Sequence, residues 1–149
     1  MQKILNIKRL IFLIGMVFLN FSHLIGQKLS PVTWSFELLK TKGSDYEIVA
    51  TANIKKGWTM YSQFTDENGP VPTAFVLGNV TVPFEEKSKF TKEFDPIFDV
   101  DVIKFKEHAI FTHKVTKAGK NEVTGYVTFM TCDGEKCLPP SDVEFTLKF

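Results

Sequence analysis

Val143-Glu144-Phe145-Thr146-Leu147-Lys148-Phe149 ends the chain with apolar residues at every odd position and polar ones between them. Successive side chains of a strand point to opposite faces. Val143, Phe145, Leu147 and Phe149 therefore share a buried face, while Glu144, Thr146 and Lys148 meet water, which is the pattern of an antiparallel sheet wet on one side. The same period appears upstream. Trp34, Phe36 and Leu38 alternate with Ser35 and Glu37, and after a turn at Lys42-Gly43-Ser44-Asp45 come Tyr46, Ile48, Ala50, Ala52 and Ile54. Further strands are expected over Trp58 to Gln63, Val80 to Phe84, Val102 to Lys106, Ala109 to Thr116 and Val123 to Thr131. No stretch carries a convincing helical period, and seven of the fifteen Phe fall within these short segments. The expected fold is all-β, an antiparallel β-sandwich in one domain.

Two stretches break the pattern. Thr65 to Thr73 holds one Gly, two Pro and several polar turn formers, and reads as a loop. A second loop is expected from Phe94, where Asp95-Pro96-Ile97-Phe98 sets two large apolar residues beside a proline. On residue type alone, Ile97 and Phe98 would tuck into the core at a strand corner.

The first 26 residues read as an export signal. Lys3, Lys8 and Arg9 form a basic start, Leu10 to Phe21 an apolar run, and the stretch from Ser22 a more polar exit. The run is too short for a membrane span, which needs about 20 residues. Cleavage after Gly26 would leave residues 27–149 as the mature domain. Of the 18 basic residues three lie before that point, and of the 17 acidic residues none, so the mature net charge is 15 − 17 = −2. Phosphate recognition needs clustered Lys and Arg. Neither nucleic-acid binding nor an anionic-membrane footprint is therefore expected.

Thr131-Cys132-Asp133-Gly134-Glu135-Lys136-Cys137-Leu138-Pro139-Pro140 is the densest chemical signal. It follows an expected strand, and Asp-Gly is a strong turn dipeptide. If the four intervening residues turn the chain back, the Cα atoms of Cys132 and Cys137 can approach within the roughly 4.4 to 6.8 Å of a disulfide. Pro139 and Pro140 lack backbone donors, so the next strand is expected to resume near Asp142.

An exported chain meets an oxidising environment, and a stapling disulfide is common there. Closing six residues, however, stabilises by only about 2 kcal/mol in the chain-entropy estimate. Exposed disulfides in tight loops are the labile, catalytic ones. Spacing by itself leaves a structural staple and a redox pair equally open. A third reading joins the cysteines with His108, His113 or Met130 around a soft metal ion, but His108 and His113 differ by an odd number and face opposite sides of one strand.

The segment from Cys132 to Pro140, with its Leu-Pro-Pro tail, resembles the active-site loop of the N-terminal periplasmic domain of the DsbD thiol:disulfide interchange family. Gly57-Trp58-Thr59-Met60-Tyr61-Ser62-Gln63 is similar to that family's aromatic strand, Pro70 to Thr73 to its Pro-Thr loop, and Asp95-Pro96-Ile97-Phe98 to its cap loop. The resemblance spans about residues 30 to 149. It implies an immunoglobulin-like sandwich in the periplasm of a Gram-negative type bacterium, with protein-disulfide reductase type activity and no cofactor or metal. It implies electron transfer from a membrane-embedded thiol:disulfide reductase to exported thioredoxin-like proteins. Cys137 would form the mixed disulfide with partners and Cys132 would resolve it. Phe98, with Ile97, would cap the pair, Asp95 would raise the thiol pKa by like-charge repulsion, and Tyr61 would stand beside them. Four residues separate the cysteines here, one fewer than in the best-known member. Within these 149 residues there is neither a transmembrane carrier nor a thioredoxin-like domain, so separate proteins are expected to supply both. The alternative is an immunoglobulin-like binding module with a fixed disulfide.

Overall fold

The structure is a computed structural model and describes residues 30–149; the expected export signal lies outside the described residues. Eleven strands and no helix occupy this span. One sheet takes β1 (Val32–Lys40), β2 (Asp45–Ile54), β9 (His108–Thr116) and β6 (Glu85–Glu86), in that order. The other runs β5 (Val80–Val82), β4 (Ala74–Leu77), β10 (Glu122–Cys132), β3 (Thr59–Tyr61), β8 (Val100–Phe105) and β7 (Thr91–Asp95), with β11 (Cys137–Lys148) paired to β10. All pairings are antiparallel.

Alternation drives the assembly as expected. In β1, Trp34, Phe36 and Leu38 turn inward; in β2, Ile48, Ala50, Ala52 and Ile54 do; in β11, Val143, Phe145 and Leu147 do. They meet Phe75, Phe84, Phe105 and Phe111 between the sheets. Phe75 is the hub, stacked on Phe84 at 3.9 Å and in contact with Trp34 and Phe111 at 5.9 and 5.2 Å between centroids. Aromatic pairs in such arrangements add to the area they bury.

Several expected strands have different bounds. The strand expected over Trp58–Gln63 is only Thr59–Tyr61, because the Glu86 carboxylate takes over the polar groups beyond it. That carboxylate accepts from Ser62 Oγ and Gln63 N, each at 2.9 Å. The strand at Val80 stops at Val82, before Pro83, which has no donor to continue the ladder. Strands β4, β6 and β7 were not expected. β7 reads as hydrophilic (Thr-Lys-Glu-Phe-Asp) because its inward side chains, Glu93 and Asp95, meet polar partners rather than apolar core.

The largest correction concerns β11, which starts at Cys137 and passes straight through Pro139 and Pro140 instead of resuming near Asp142. Phe129 pairs with Ser141 but Thr131 with Leu138, so the two prolines stand opposite Met130 alone in a bulge. Among the described residues only β10 pairs with β11, so the missing donors cost no second ladder.

Replacing Phe75 by Ala should lower unfolding stability by about 3–5 kcal/mol, read from urea titration of the oxidised protein. A loss below about 1 kcal/mol would contradict its place at the centre of the core.

Candidate functional site: a disulfide on the outer face of the second sheet

Cys132 ends β10 and Cys137 begins β11, and the two are ladder partners joined by a disulfide with Cα atoms 4.1 Å apart. This is slightly closer than the range expected from sequence, for a reason in the ladder. Asp133 N donates to Lys136 O at 3.1 Å, closing the hairpin, so the next pair outward is a non-hydrogen-bonded one, where Cα atoms approach most closely. Gly134, with φ of 93°, takes the first of the two loop positions, where a type II′ hairpin wants glycine. The Asp133 carboxylate accepts from the backbone N–H of Lys136 and of Glu135 at 3.0 and 3.1 Å. These donors, led by Lys136, hold its carboxyl below the usual range.

The bulge decides which way Cys137 faces. Leu138 packs into the main core, whereas Cys132 and Cys137 belong to a second apolar cluster with Tyr61, Val102, Phe98, Val100 and Met130. In that cluster Cys132 is 2% exposed, and Cys137 is partly exposed.

Four residues, Pro96 to Asp99, connect β7 to β8 beside this cluster. Asp99 closes the turn with φ of 59°, a conformation Asp tolerates better than most residues, and its N–H donates to Asp95 O at 2.8 Å. Phe98 packs on the cluster, edge-on to Tyr61 with ring centroids 6.2 Å apart. Ile97 stays 45% exposed and lines a cleft of about 540 Å³ together with Trp58, Phe94, Asp95, Lys104 and Cys132. The residue-type expectation that Ile97 and Phe98 enter the main core does not hold. Phe98 packs on the other face of the sheet and Ile97 meets solvent.

Asp95 is 4% exposed and fully used. Its carboxylate accepts from Tyr61 Oη at 3.1 Å and from Ile97 N at 3.0 Å, with Lys104 Nζ at 3.9 Å. Lys104 also binds Glu93 at 2.8 Å, and this ion-paired hydrogen bond holds the Glu93 carboxyl below the usual range. Burial, followed by the Asp95 charge, drives the Tyr61 phenol well above its ordinary value. Tyr61 therefore stays a neutral donor to Asp95. Sequence reading brought Cys132, Cys137, Phe98, Ile97, Asp95 and Tyr61 into one neighbourhood, and the structure places all six there. It missed Lys104, Glu93 and Val102. Their signal was the alternation of β7 and β8, obscured by charge. Of the residues weighed for a soft metal, Met130 alone joins the cysteine cluster. His108 and His113 stand on β9 in the opposite sheet, and His113 bonds Pro83 O at 2.9 Å.

An antiparallel sandwich carrying a cross-strand cysteine pair beneath a hairpin turn suits a thiol:disulfide interchange domain, and the family match supports that class. The chain belongs to the family described as Thiol:disulfide interchange protein DsbD, N-terminal, whose profile matches residues 27–148. No curated protein matches the sequence. The N-terminal periplasmic domain of ScsB from Proteus mirabilis superposes with a TM-score of 0.65 at 14% identity, over 84% of this chain and 49% of that one. The chain thus spans about half the length of that relative. The N-terminal domain of Neisseria meningitidis DsbD, in its reduced form, superposes with a TM-score of 0.51 at 20% identity, over 78% of this chain and 85% of that one. Both share the immunoglobulin-like fold.

The raised Tyr61 phenol makes an alkaline prediction. The folded chain holds this proton more tightly than the unfolded one, so the stability is fully present below the ordinary phenol pKa of about 10 and lost as pH rises through the higher folded value. Urea midpoints should fall more steeply above about pH 10 in the wild type than in Tyr61→Phe. Parallel curves would show that the phenol is not coupled to folding.

Proposed function

We propose that this domain relays electrons by thiol–disulfide exchange in the periplasm, after export and removal of residues 1–26. The domain itself is the stretch 27–149. A donor thiolate, supplied by a membrane-embedded thiol:disulfide reductase, attacks Cys137 Sγ. The Cys132–Cys137 bond breaks, Cys132 leaves as thiolate and a mixed disulfide forms. The donor's second thiol then attacks its own sulfur in that bond, leaving the donor oxidised and this domain a dithiol. In the second half the Cys137 thiolate attacks the disulfide of an exported thioredoxin-like protein. Cys132 attacks Cys137 Sγ in the new mixed disulfide, which restores the internal bond and releases the partner as a dithiol. Two electrons and two protons pass in each cycle.

The observation that carries this reading is the unequal exposure of the two cysteine residues. Cys132 is 2% exposed while Cys137 is partly open, so an incoming group reaches Cys137 and the buried partner resolves. Phe98 narrows the approach, and Asp95 sets a carboxylate within the same neighbourhood, where it disfavours a nearby thiolate. Tyr61 holds that carboxylate in place.

Cys132→Ala should accumulate mixed disulfides through Cys137 with exported thioredoxin-like proteins, seen on non-reducing gels of periplasmic extracts, and Cys137→Ala should not. Trapping by Cys137→Ala alone would reverse the assigned roles, and trapping by neither would overturn the relay.

A relay must also survive its own reduction. Loss of this six-residue closure should cost only about 2 kcal/mol, and urea curves of the reduced protein should show the same single cooperative transition. A fixed staple in a binding module would instead resist mild dithiol, and its removal would cost stability beyond that closure term.

A further inference from the structure

Gly69 lies in the loop between β3 and β4 and does not have the positive φ that would call for glycine. Its reason is space. A Cβ at this position would stand 2.7 Å from Val100 Cγ2, 3.4 Å from Asp66 O and 3.7 Å from Phe98 Cβ. Two of those three atoms belong to the turn that bears Phe98 and to the first residue of β8 behind it.

The loop is held firmly from its own side. Ser62 N donates to Ile103 O at 2.9 Å, and Thr65 Oγ1 accepts from Ile103 N at 3.1 Å. Pro70 is fully buried, and Thr73 Oγ1 donates to Tyr61 O at 2.5 Å. Val71 N–H points at Met130 Sδ, 3.4 Å away, inside the cysteine cluster. The turn bearing Phe98 makes its hydrogen bonds to its own stem, from Ile97 N and Asp99 N to Asp95. It is a four-residue connection at the sheet edge, with Pro96, Ile97 and Asp99 exposed. Where the two surfaces are forced apart, the turn yields first. Val100 cannot simply rotate away, because a β-branched side chain in a strand has few open rotamers.

We propose that Gly69 is a positioning residue for the exchange reaction, the seat on which Val100 and Phe98 settle so that the turn closes over Cys132 and Cys137. The inference rests on the exchange reading above and names the residue that sets how tightly the site is shut. A methyl group in the seat raises the energy of the closed arrangement without touching either sulfur, and so shifts the population toward an open one.

The test is the rate of disulfide reduction by dithiothreitol, followed by thiol titration. Gly69→Ala should react about fivefold faster than wild type, the size expected of a modest overpacking strain. In a Val100→Ala background, where the clashing atom is gone, adding Gly69→Ala should leave the rate unchanged, and in a Phe98→Ala background it should add little. Equal acceleration by Gly69→Ala with and without the Val100 side chain, or no acceleration at all, would overturn the proposal. If Gly69→Ala fails to fold while Gly69→Ala/Val100→Ala folds, the contact is supported; if both fail, the space serves packing elsewhere and the proposal falls. A small dithiol needs no protein partner, so this outcome is independent of the mixed-disulfide capture that tests the relay.

Discussion

The bulge where Pro139 and Pro140 stand opposite Met130 is the constraint on which the cysteine site depends. Below it, β10 and β11 pair so that Val127, Phe129, Val143, Phe145 and Leu147 face the core. A ladder continued without interruption would keep odd-numbered residues of β11 facing inward, Cys137 among them, and would set Cys132 against Leu138 rather than Cys137. One additional residue reverses the alternation. Leu138 then fills the core opposite Thr131, and Cys137 joins Cys132 on the outer face. Prolines suit this place because the bulge needs no ladder donors there and, among the described residues, the far side of β11 is unpaired.

The second sheet therefore carries two apolar surfaces with different tasks. Its inner face meets the first sheet through rings such as Phe75, Phe105 and Phe129, and provides most of the folding free energy by burial. Its outer face carries the smaller cluster of Tyr61, Val102 and Cys132, with Phe98, Val100, Met130 and Cys137 around it. Against a cluster of that size packs a turn, through Phe98, rather than another layer. β3 shows the division residue by residue, since Met60 enters the main core and its neighbour Tyr61 enters the cysteine cluster.

Charge organises the rest of the outer face. Asp95 is deeply buried, and a buried carboxylate persists when its oxygens are bonded. Tyr61, the Ile97 backbone and Lys104 meet that requirement, while Lys104 is shared with Glu93. The same bonds secure the β7 end of the turn bearing Phe98, so the electrostatic network adjoins the cluster that holds the disulfide. This explains how β7, a strand of mostly polar residues at a sheet edge, is held against β8.

Much of the fold was legible in the residue order. Alternation is a local property, and it located β1, β2, β9, β10 and the apolar half of β11 from side-chain type alone. Cys132 and Cys137 were legible as a pair because a four-residue connection with Asp-Gly closes on itself. Strands such as β7, and the true start of β11, were not legible, because partners far along the chain satisfy them. Lys104 and Tyr61 accept the polar face of β7, and Met130 faces two prolines that would otherwise end a strand. Gly69 was equally silent, since only the approach of Val100 from thirty-one positions away gives its missing side chain a meaning. The sequence by itself determined that this chain forms strands and that its cysteines meet. Tertiary structure alone decided on which face of the sheet they meet and what packs around them, because a strand's period is local while a bulge and a buried carboxylate are resolved only by the neighbours packed against them.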